Sequence, residues 1–251
     1  MKEPVVWSPE AGPTSPRFGD VYRSQGGALA QARTVFLGGC GLPPGWRGRA
    51  AHTVLETGFG LGLNFLATWA VWRADAQRSA ALHFMSVEAY PVAAEDLLRS
   101  AQALQAGTIE DAALLPLVRE LAGELTRAWV DVRPGVQTLA FDTGQVRLTL
   151  AVGEVQPMLV QLTAPADTVY LDGFSPAVNP DMWSEATLAG VARLCRPGTR
   201  LASWCVAGAV RARLQALGFE VRRCAGLPPK RQRLEAVFGA RTALSCENGA
   251  A

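Results

Sequence analysis

The stretch Leu55-Glu56-Thr57-Gly58-Phe59-Gly60-Leu61-Gly62-Leu63-Asn64-Phe65 decides the fold class. An apolar, β-branched run, Thr53-Val54-Leu55, leads into it, and an apolar pattern at helical spacing, through Leu63, Leu66, Trp69 and Ala70, leads out. It reads as strand, glycine turn, helix. Three glycines at alternate positions remove the Cβ atoms that would hold a ligand off the backbone, and they admit the positive φ of a sharp turn into a helix N-terminus. A nucleotide-like ligand fits such a turn; the plain alternative is a tight turn with no ligand. The dinucleotide fingerprint wants a small residue at position 63, so Leu63 argues against NAD.

Outward from that turn, the apolar strand Leu82 to Val87 ends in Glu88. In a doubly wound sheet the end of the second strand lies beside the first glycine turn, where a carboxylate can accept both ribose hydroxyls. Glu88 is the ribose candidate, with a helix N-terminal acid ahead of Pro91 as the alternative. Helices are expected over 93–104 and 111–121, and strand material at Trp129-Val130-Asp131-Val132 and Val146 to Val152. Glu154, just beyond, either contacts an adenine or caps the next helix. Then Thr168-Val169-Tyr170-Leu171-Asp172-Gly173-Phe174-Ser175-Pro176-Ala177-Val178-Asn179-Pro180-Asp181-Met182-Trp183 brings a buried strand to an acid at its C-terminal end, the edge where open α/β sheets bind ligands. Two prolines and an asparagine brace the loop that follows, so Phe174, Asn179 and Trp183 join Asp172 as candidates. A helix over 182–194, a turn at Arg196-Pro197-Gly198, a strand over 199–206, a helix over 207–217 and strands over 219–224 and 234–238 complete the expected sheet.

Ahead of the central turn, four prolines keep residues 1–17 from forming a helix or a central strand, so they are expected to run as an extended arm. A helical stretch from Ala28 to Phe36, broken by Gly38 to Pro44, makes residues 1–50 an arm and cap. Within it Asp20 and Tyr22 read either as groups reaching over a cofactor or as a turn aspartate and a half-buried tyrosine. The expected division is 1–50, a main α/β unit over 51–239 and a disordered tail over 240–251. The 251 residues are 49% apolar, enough for a substantial core. No apolar run reaches membrane-spanning length and the start MKEPVVWSPEAGP lacks signal-peptide form, so no membrane partner and a cytoplasmic location are expected. Five scattered cysteines and two histidines give no metal-ligand spacing. Positions 193–241 hold eleven of the 24 Lys and Arg residues and two of the 22 Asp and Glu, a basic third that reads as an anion-facing side or a solvated one.

The segments ETGFGLGLNFL, SVEAYP, LDGFSPAVNPDMW and ARLCRPGTRLASWCVAGAVRARLQALGF, with DVYRS and TVFLGG near the start, closely resemble the bacterial tRNA 5-methylaminomethyl-2-thiouridine methyltransferases over about residues 7–238. The resemblance implies a class I S-adenosylmethionine-dependent methyltransferase fold, Rossmann-like, with a seven-stranded mixed sheet containing one antiparallel strand. It also implies methylation of the 5-aminomethyl group of wobble (2-thio)uridine in tRNA anticodon loops. Glu56, Gly58, Phe59, Gly60, Gly62, Asn64, Glu88 and Glu154 become the cofactor set. Within it the family pattern puts Glu56, Gly58 and Gly60 at the methionine end and Glu88 on the ribose. Asp172 would lie by the transferred methyl as the catalytic residue, and Asp20, Tyr22, Phe174, Asn179, Trp183, Lys230 and Arg231 would meet the substrate. Neither metal nor flavin is expected. In many bacteria the family domain is fused to a flavin-dependent oxidase, and the expectation here is a stand-alone methyltransferase with a separate enzyme upstream. Val178, Glu154 and Cys40 depart from the lysine, aspartate and asparagine usual in the family, and residues 226–234 depart from its loop pattern, although Lys230 and Arg231 remain.

A sulfonium methyl is already electrophilic, so such a protein need only hold a neutral amine in line behind the S–CH₃ bond. The wobble base can be splayed into a pocket and stacked on Phe174, Trp183 or Trp204. Two other functions fit parts of the pattern: a methyltransferase for another substrate, and a catalytically silent tRNA-binding homologue.

Overall fold

The computed structural model describes residues 2–9, 11–23, 27–228 and 230–239, so the tail expected over 240–251 lies outside the described residues. The chain opens with three short strands, β1 (Val6–Ser8), β2 (Gly12–Ser15) and β3 (Asp20–Val21), paired antiparallel in that order. The arm is therefore a small sheet of its own. A short helix α1 (Ala28–Gln31) winds on into a π-helical stretch, Ala32–Gly38. The main unit follows as β4 (Ala51–Thr57), α2 (Leu63–Ala74), β5 (Ala81–Glu88), α3 (Ala94–Gln102), α4 (Ile109–Ala128), β6 (Gly135–Phe141), β7 (Val146–Val152), α5 (Val155–Gln161), β8 (Ala166–Leu171), α6 (Glu185–Arg193), β9 (Cys195–Ser203), α7 (Gly208–Ala216), β10 (Phe219–Ala225) and β11 (Gln232–Phe238).

The large sheet has the order β10-β11-β9-β8-β4-β5-β7-β6. Its five central strands, β9, β8, β4, β5 and β7, are parallel, while β6 runs antiparallel to β7 and β11 antiparallel to both β9 and β10. From β4 the chain builds outward first through β5 and then, on the other side, through β8. That reversal makes a crevice at the C-terminal ends of β4 and β8. Neighbouring strand residues alternate between two cores: Val54, Phe84, Leu150 and Tyr170 pack with α2 and α4 residues such as Phe65, Trp69, Leu121 and Leu125. Leu55, Met85, Ala151 and Val169 pack with Leu159, Leu188, Val191 and Leu214 of α5, α6 and α7. A sheet buried on both faces explains why these strands are nearly continuous apolar runs.

Eight strands replace the expected seven, and β6, at the edge, is the addition. The strand expected at Trp129 to Val132 is instead a single 3₁₀ turn over Trp129–Asp131. Trp129 is buried there, stacks on Phe59 at 5.0 Å and donates Nε1–H to the Val92 carbonyl at 3.0 Å. One aromatic anchor outweighs the β propensity of four residues. The helix expected over 111–121 runs from Ile109 to Ala128, capped by Thr108 and continuing past Pro116. The turn expected at Arg196 to Gly198 lies inside β9 as an irregularity, since Ala166 pairs with Cys195 but Thr168 pairs with Arg200. No described helix is long and apolar enough to cross a membrane.

Candidate active site

A cavity of about 280 Å³ opens at the C-terminal ends of β4, β5 and β8, the edge that the topology selects. Its floor is the glycine turn. Gly58 N–H donates to the Val87 carbonyl at 2.8 Å, and a Cβ on Gly58, whose φ is +78°, would meet the Gly173 Cα at 3.3 Å. Part of the glycine requirement is therefore the close approach of two strand ends. Gly60 and Phe59 line the cavity, whereas Gly62 does not; its missing Cβ makes room for the Phe59 ring at 3.0 Å.

Glu88, half-buried at the end of β5, accepts from Gly60 N on Oε2 and from Tyr90 N on Oε1, both at 2.8 Å. Burial pushes its carboxyl up, and the backbone N–H groups oppose that shift. Each oxygen keeps acceptor capacity toward the cavity. Glu154 is exposed beside it, accepting from the Tyr90 hydroxyl at 3.2 Å. It stands at the N-cap of α5 without a side-chain capping bond, so the contact to Tyr90 is what its side chain makes.

On the other side Asp172 is half-buried and takes three N–H donors. Trp204 Nε1 at 2.6 Å and Gly173 N at 2.9 Å reach Oδ1, and Asn64 Nδ2 at 2.8 Å reaches Oδ2. Burial raises its carboxyl, while these donors and the Lys230 cation hold it down. Asn64 also donates to Glu56 at 3.0 Å, and Ser86 donates to the second Glu56 oxygen at 2.7 Å. Glu56 is 1% exposed and stands one layer behind the cavity wall, its carboxyl pushed well above the usual range by burial and by Asp172 nearby. The residue expected at the methionine end thus acts on the cavity through Asn64.

The cap closes the roof. Asp20 accepts from Ser175 N at 3.1 Å and so pins the loop after β8, while Phe174 sits between Phe18 at 4.7 Å and Tyr22 at 5.1 Å. Burial and nearby acids push the Tyr22 hydroxyl far above its ordinary value, so it stays neutral. Asn179 and Lys230 line the cavity, and the Lys230 ammonium lies 2.7 Å from the centre of the Trp204 ring. Trp183 does not line it: the ring is 1% exposed and donates to the Phe174 carbonyl at 2.8 Å, which positions the loop from below. Arg231 is exposed and outside the wall.

Glu3, Phe18 and Tyr90 are among the wall residues that the sequence does not single out. Glu3 is 3% exposed, accepts from Ser15 and pairs with Arg17 at 2.9 Å, and Arg17 in turn lies over Tyr90 at 4.0 Å. Only Tyr90, next to the strand-end acid, carried a signal. Several arginines of the basic third are engaged within the fold. Arg193 donates to the Leu159 and Leu162 carbonyls, Arg213 to the Trp183 carbonyl, and Arg196, Arg222 and Arg233 pair with Asp167, Glu220 and Glu235. Of the three single-residue departures from the family pattern, Glu154 lines the cavity, whereas Val178 is exposed and Cys40 is buried against the Val169 and Arg200 carbonyls.

The chain is similar to several known proteins. Residues 116–238 match the model of a family described as S-adenosyl-L-methionine-dependent methyltransferase. The chain is 57% identical over 238 residues to the tRNA 5-methylaminomethyl-2-thiouridine biosynthesis bifunctional protein MnmC of Paracidovorax citrulli, covering 95% of this chain and 36% of that protein. It is 50% identical over 238 residues to the MnmC of Delftia acidovorans, with 95% and 35% covered. The chain thus spans about a third of the length of these curated relatives. Among solved structures, MnmC2 from Aquifex aeolicus superposes with a TM-score of 0.71 at 20% identity over 95% of this chain and 71% of that one, which establishes a common fold. The chain is thus similar over residues 116–238 to the family described as S-adenosyl-L-methionine-dependent methyltransferase, and over 95% of its length to bacterial MnmC proteins.

Proposed function

We propose that the chain transfers a methyl group from S-adenosylmethionine to the 5-aminomethyl nitrogen of wobble (2-thio)uridine in tRNA anticodon loops. The observation that carries this reading is a single cavity with two differently prepared carboxylates, Glu88 and Asp172. The donor and acceptor set suits the cosubstrate. Glu88 has an open lone pair on each oxygen for a ribose diol, the glycine turn leaves backbone exposed for the methionine end, and Tyr90 and Glu154 border the place for the base. When bound, S-adenosylmethionine supplies a methyl carbon that is already electrophilic.

Asp172 Oδ1 is filled by two donors, but Oδ2 is filled by one and can accept a further N–H. An amine held there has its lone pair oriented and its growing positive charge stabilised. Asn64 and Trp204 fix the carboxylate before the amine arrives, so little reorganisation accompanies the transfer. Phe174 is wedged by the cap and Trp183 is buried, which leaves the Trp204 face for a splayed base once Lys230 moves off it. No metal or flavin enters this scheme. A separate enzyme would supply the aminomethyl nucleotide, and the reaction would take place in the cytoplasm, where tRNA is matured.

The test incubates the purified chain with S-adenosylmethionine and tRNA from a strain whose wobble uridines stop at the aminomethyl stage. Nucleoside mass spectrometry should show conversion to the methylaminomethyl form. Cofactor binding without that product, and methylation of some other nucleotide or substrate instead, would overturn the substrate assignment.

A further inference from the structure

The chain contains two lysines, Lys2 and Lys230, against 22 arginines. Lys230 stands in the turn between β10 and β11, close in sequence to Arg222, Arg223, Arg231 and Arg233, and it lines the cavity. The turn is closed by Gly226 N–H donating to the Arg231 carbonyl at 2.9 Å. Arginine would serve better for holding phosphate in a planar, bidentate contact. What lysine alone offers is a nitrogen that can shed its proton and act as a nucleophile. That nitrogen lies 2.7 Å from the centre of the Trp204 ring, and the same indole donates to Asp172 at 2.6 Å. A primary alkylamine thus rests on the indole that holds Asp172, the carboxylate proposed to receive the aminomethyl group of the substrate.

We infer that Lys230 is a second methyl acceptor: when tRNA is absent, its Nζ reaches from the Trp204 face to Asp172, where the substrate amine would be held, and the chain methylates itself there. The inference rests on the reading under Proposed function. The lysine first releases a proton to solvent. Its lone pair then forms the N–C bond as the C–S bond of S-adenosylmethionine breaks, the positive charge passes from sulfur to a methylammonium, and S-adenosylhomocysteine leaves. The surroundings favour the first step. Burial pushes the Lys230 ammonium down to about 8, although Asp172 beyond β8, Asp20 of β3 and Cys205 just after β9 pull it back up. The Trp204 face adds no formal charge. When tRNA enters, the base takes the Trp204 face and displaces the lysine, so self-methylation and tRNA methylation exclude each other.

The test is clean because Lys2 is the only other lysine of the 251 residues. The full chain is incubated with S-adenosylmethionine without tRNA, and the peptide carrying Lys230 is weighed. It should gain the mass of one methyl substitution, with a rate constant unchanged on diluting the protein and suppressed by added tRNA. Lys230→Arg should show no such gain. A readout without cofactor accompanies this: trace acetylation of the cofactor-free chain over a pH series should give Lys230 a midpoint near the value of about 8 above. Lys230 left unmodified while tRNA is methylated, a rate that scales with protein concentration, or a midpoint at the ordinary lysine value of 10.5 would each sink the inference alone. Failure to bind S-adenosylmethionine would remove the underlying functional reading as well.

Discussion

On the side of the pocket proposed for the cofactor, Glu88 is held by backbone: the N–H groups of Gly60 and Tyr90 fill one position on each oxygen. On the side proposed for the substrate, Asp172 is held largely by side chains from elsewhere in the chain, Asn64 at 108 residues' separation and Trp204 at 32. The first arrangement follows from a strand ending beside a glycine turn and survives most side-chain changes nearby. The second exists only when several distant elements are all in register. Binding of a generic cosubstrate can thus rest on local geometry, while choice of acceptor rests on tertiary structure.

The largest effect expected from this division is on chemistry. Asp172→Asn keeps shape and part of the hydrogen bonding but loses the charge, so single-turnover tRNA methylation should fall by roughly 10²-fold or more. Calorimetric affinity for S-adenosylmethionine should stay within a few-fold. A comparable loss in both would show that the two sides are one unit and break the comparison. Next in size, Glu88→Ala leaves a ribose diol without its acceptor and should weaken S-adenosylmethionine binding by about 1.5–3 kcal/mol, the range for hydrogen bonds to a charged group. Unchanged affinity would take Glu88 out of the site. Asp20→Ala frees the Ser175 N–H and loosens the loop after β8. At about 1 kcal/mol for one hydrogen bond, the KM for tRNA should rise roughly fivefold with cofactor affinity unchanged.

The smallest effect concerns Glu56, which lies between the two sides. Burial raises its carboxyl in the folded chain above the ordinary value of 4.5, so the fold binds the proton more tightly than the unfolded chain does. Stability from this group is therefore complete below that value and is lost as pH rises toward the folded pKa. Glu56→Gln removes the titration. Its thermal midpoint should change less with pH above 4.5 than that of the wild type, measured by scanning calorimetry. An identical pH profile would mean that Glu56 does not titrate differently in the fold.

The same division separates what can be read from sequence from what cannot. Glu88 and Asp172 are legible because each closes an apolar strand, and strand ends in a doubly wound sheet gather at one edge. Glu56 sits inside the most recognisable stretch of all, yet a strand acid one position before the turn gives no sign of whether it faces the cavity or the Asn64 amide behind it. Trp183 and Trp204 look equivalent as aromatic platforms. Only the packing shows that one ring supports the loop from beneath and the other faces the cavity. The sheet edge was lost for a similar reason. β6 has a weakly apolar alternating pattern with exposed Val136, Thr138 and Ala140, whereas Trp129 to Val132 looks more strand-like and is drawn into a turn by one tryptophan.

The roof of the pocket has a bearing on the order in which the protein can assemble. Phe18, Asp20 and Tyr22 are made before Phe174 and Ser175, which they grip and which follow about 150 residues later, and Trp204 and Lys230 come later still. Closing so long a loop is slow and gives no reward until both ends are present. The opening segment must therefore wait, exposed, while the sheet it will cover is made. A bulky label on this segment would load the part that has the longest wait and sits over the finished cavity, so a label placed elsewhere is the safer choice for measuring turnover.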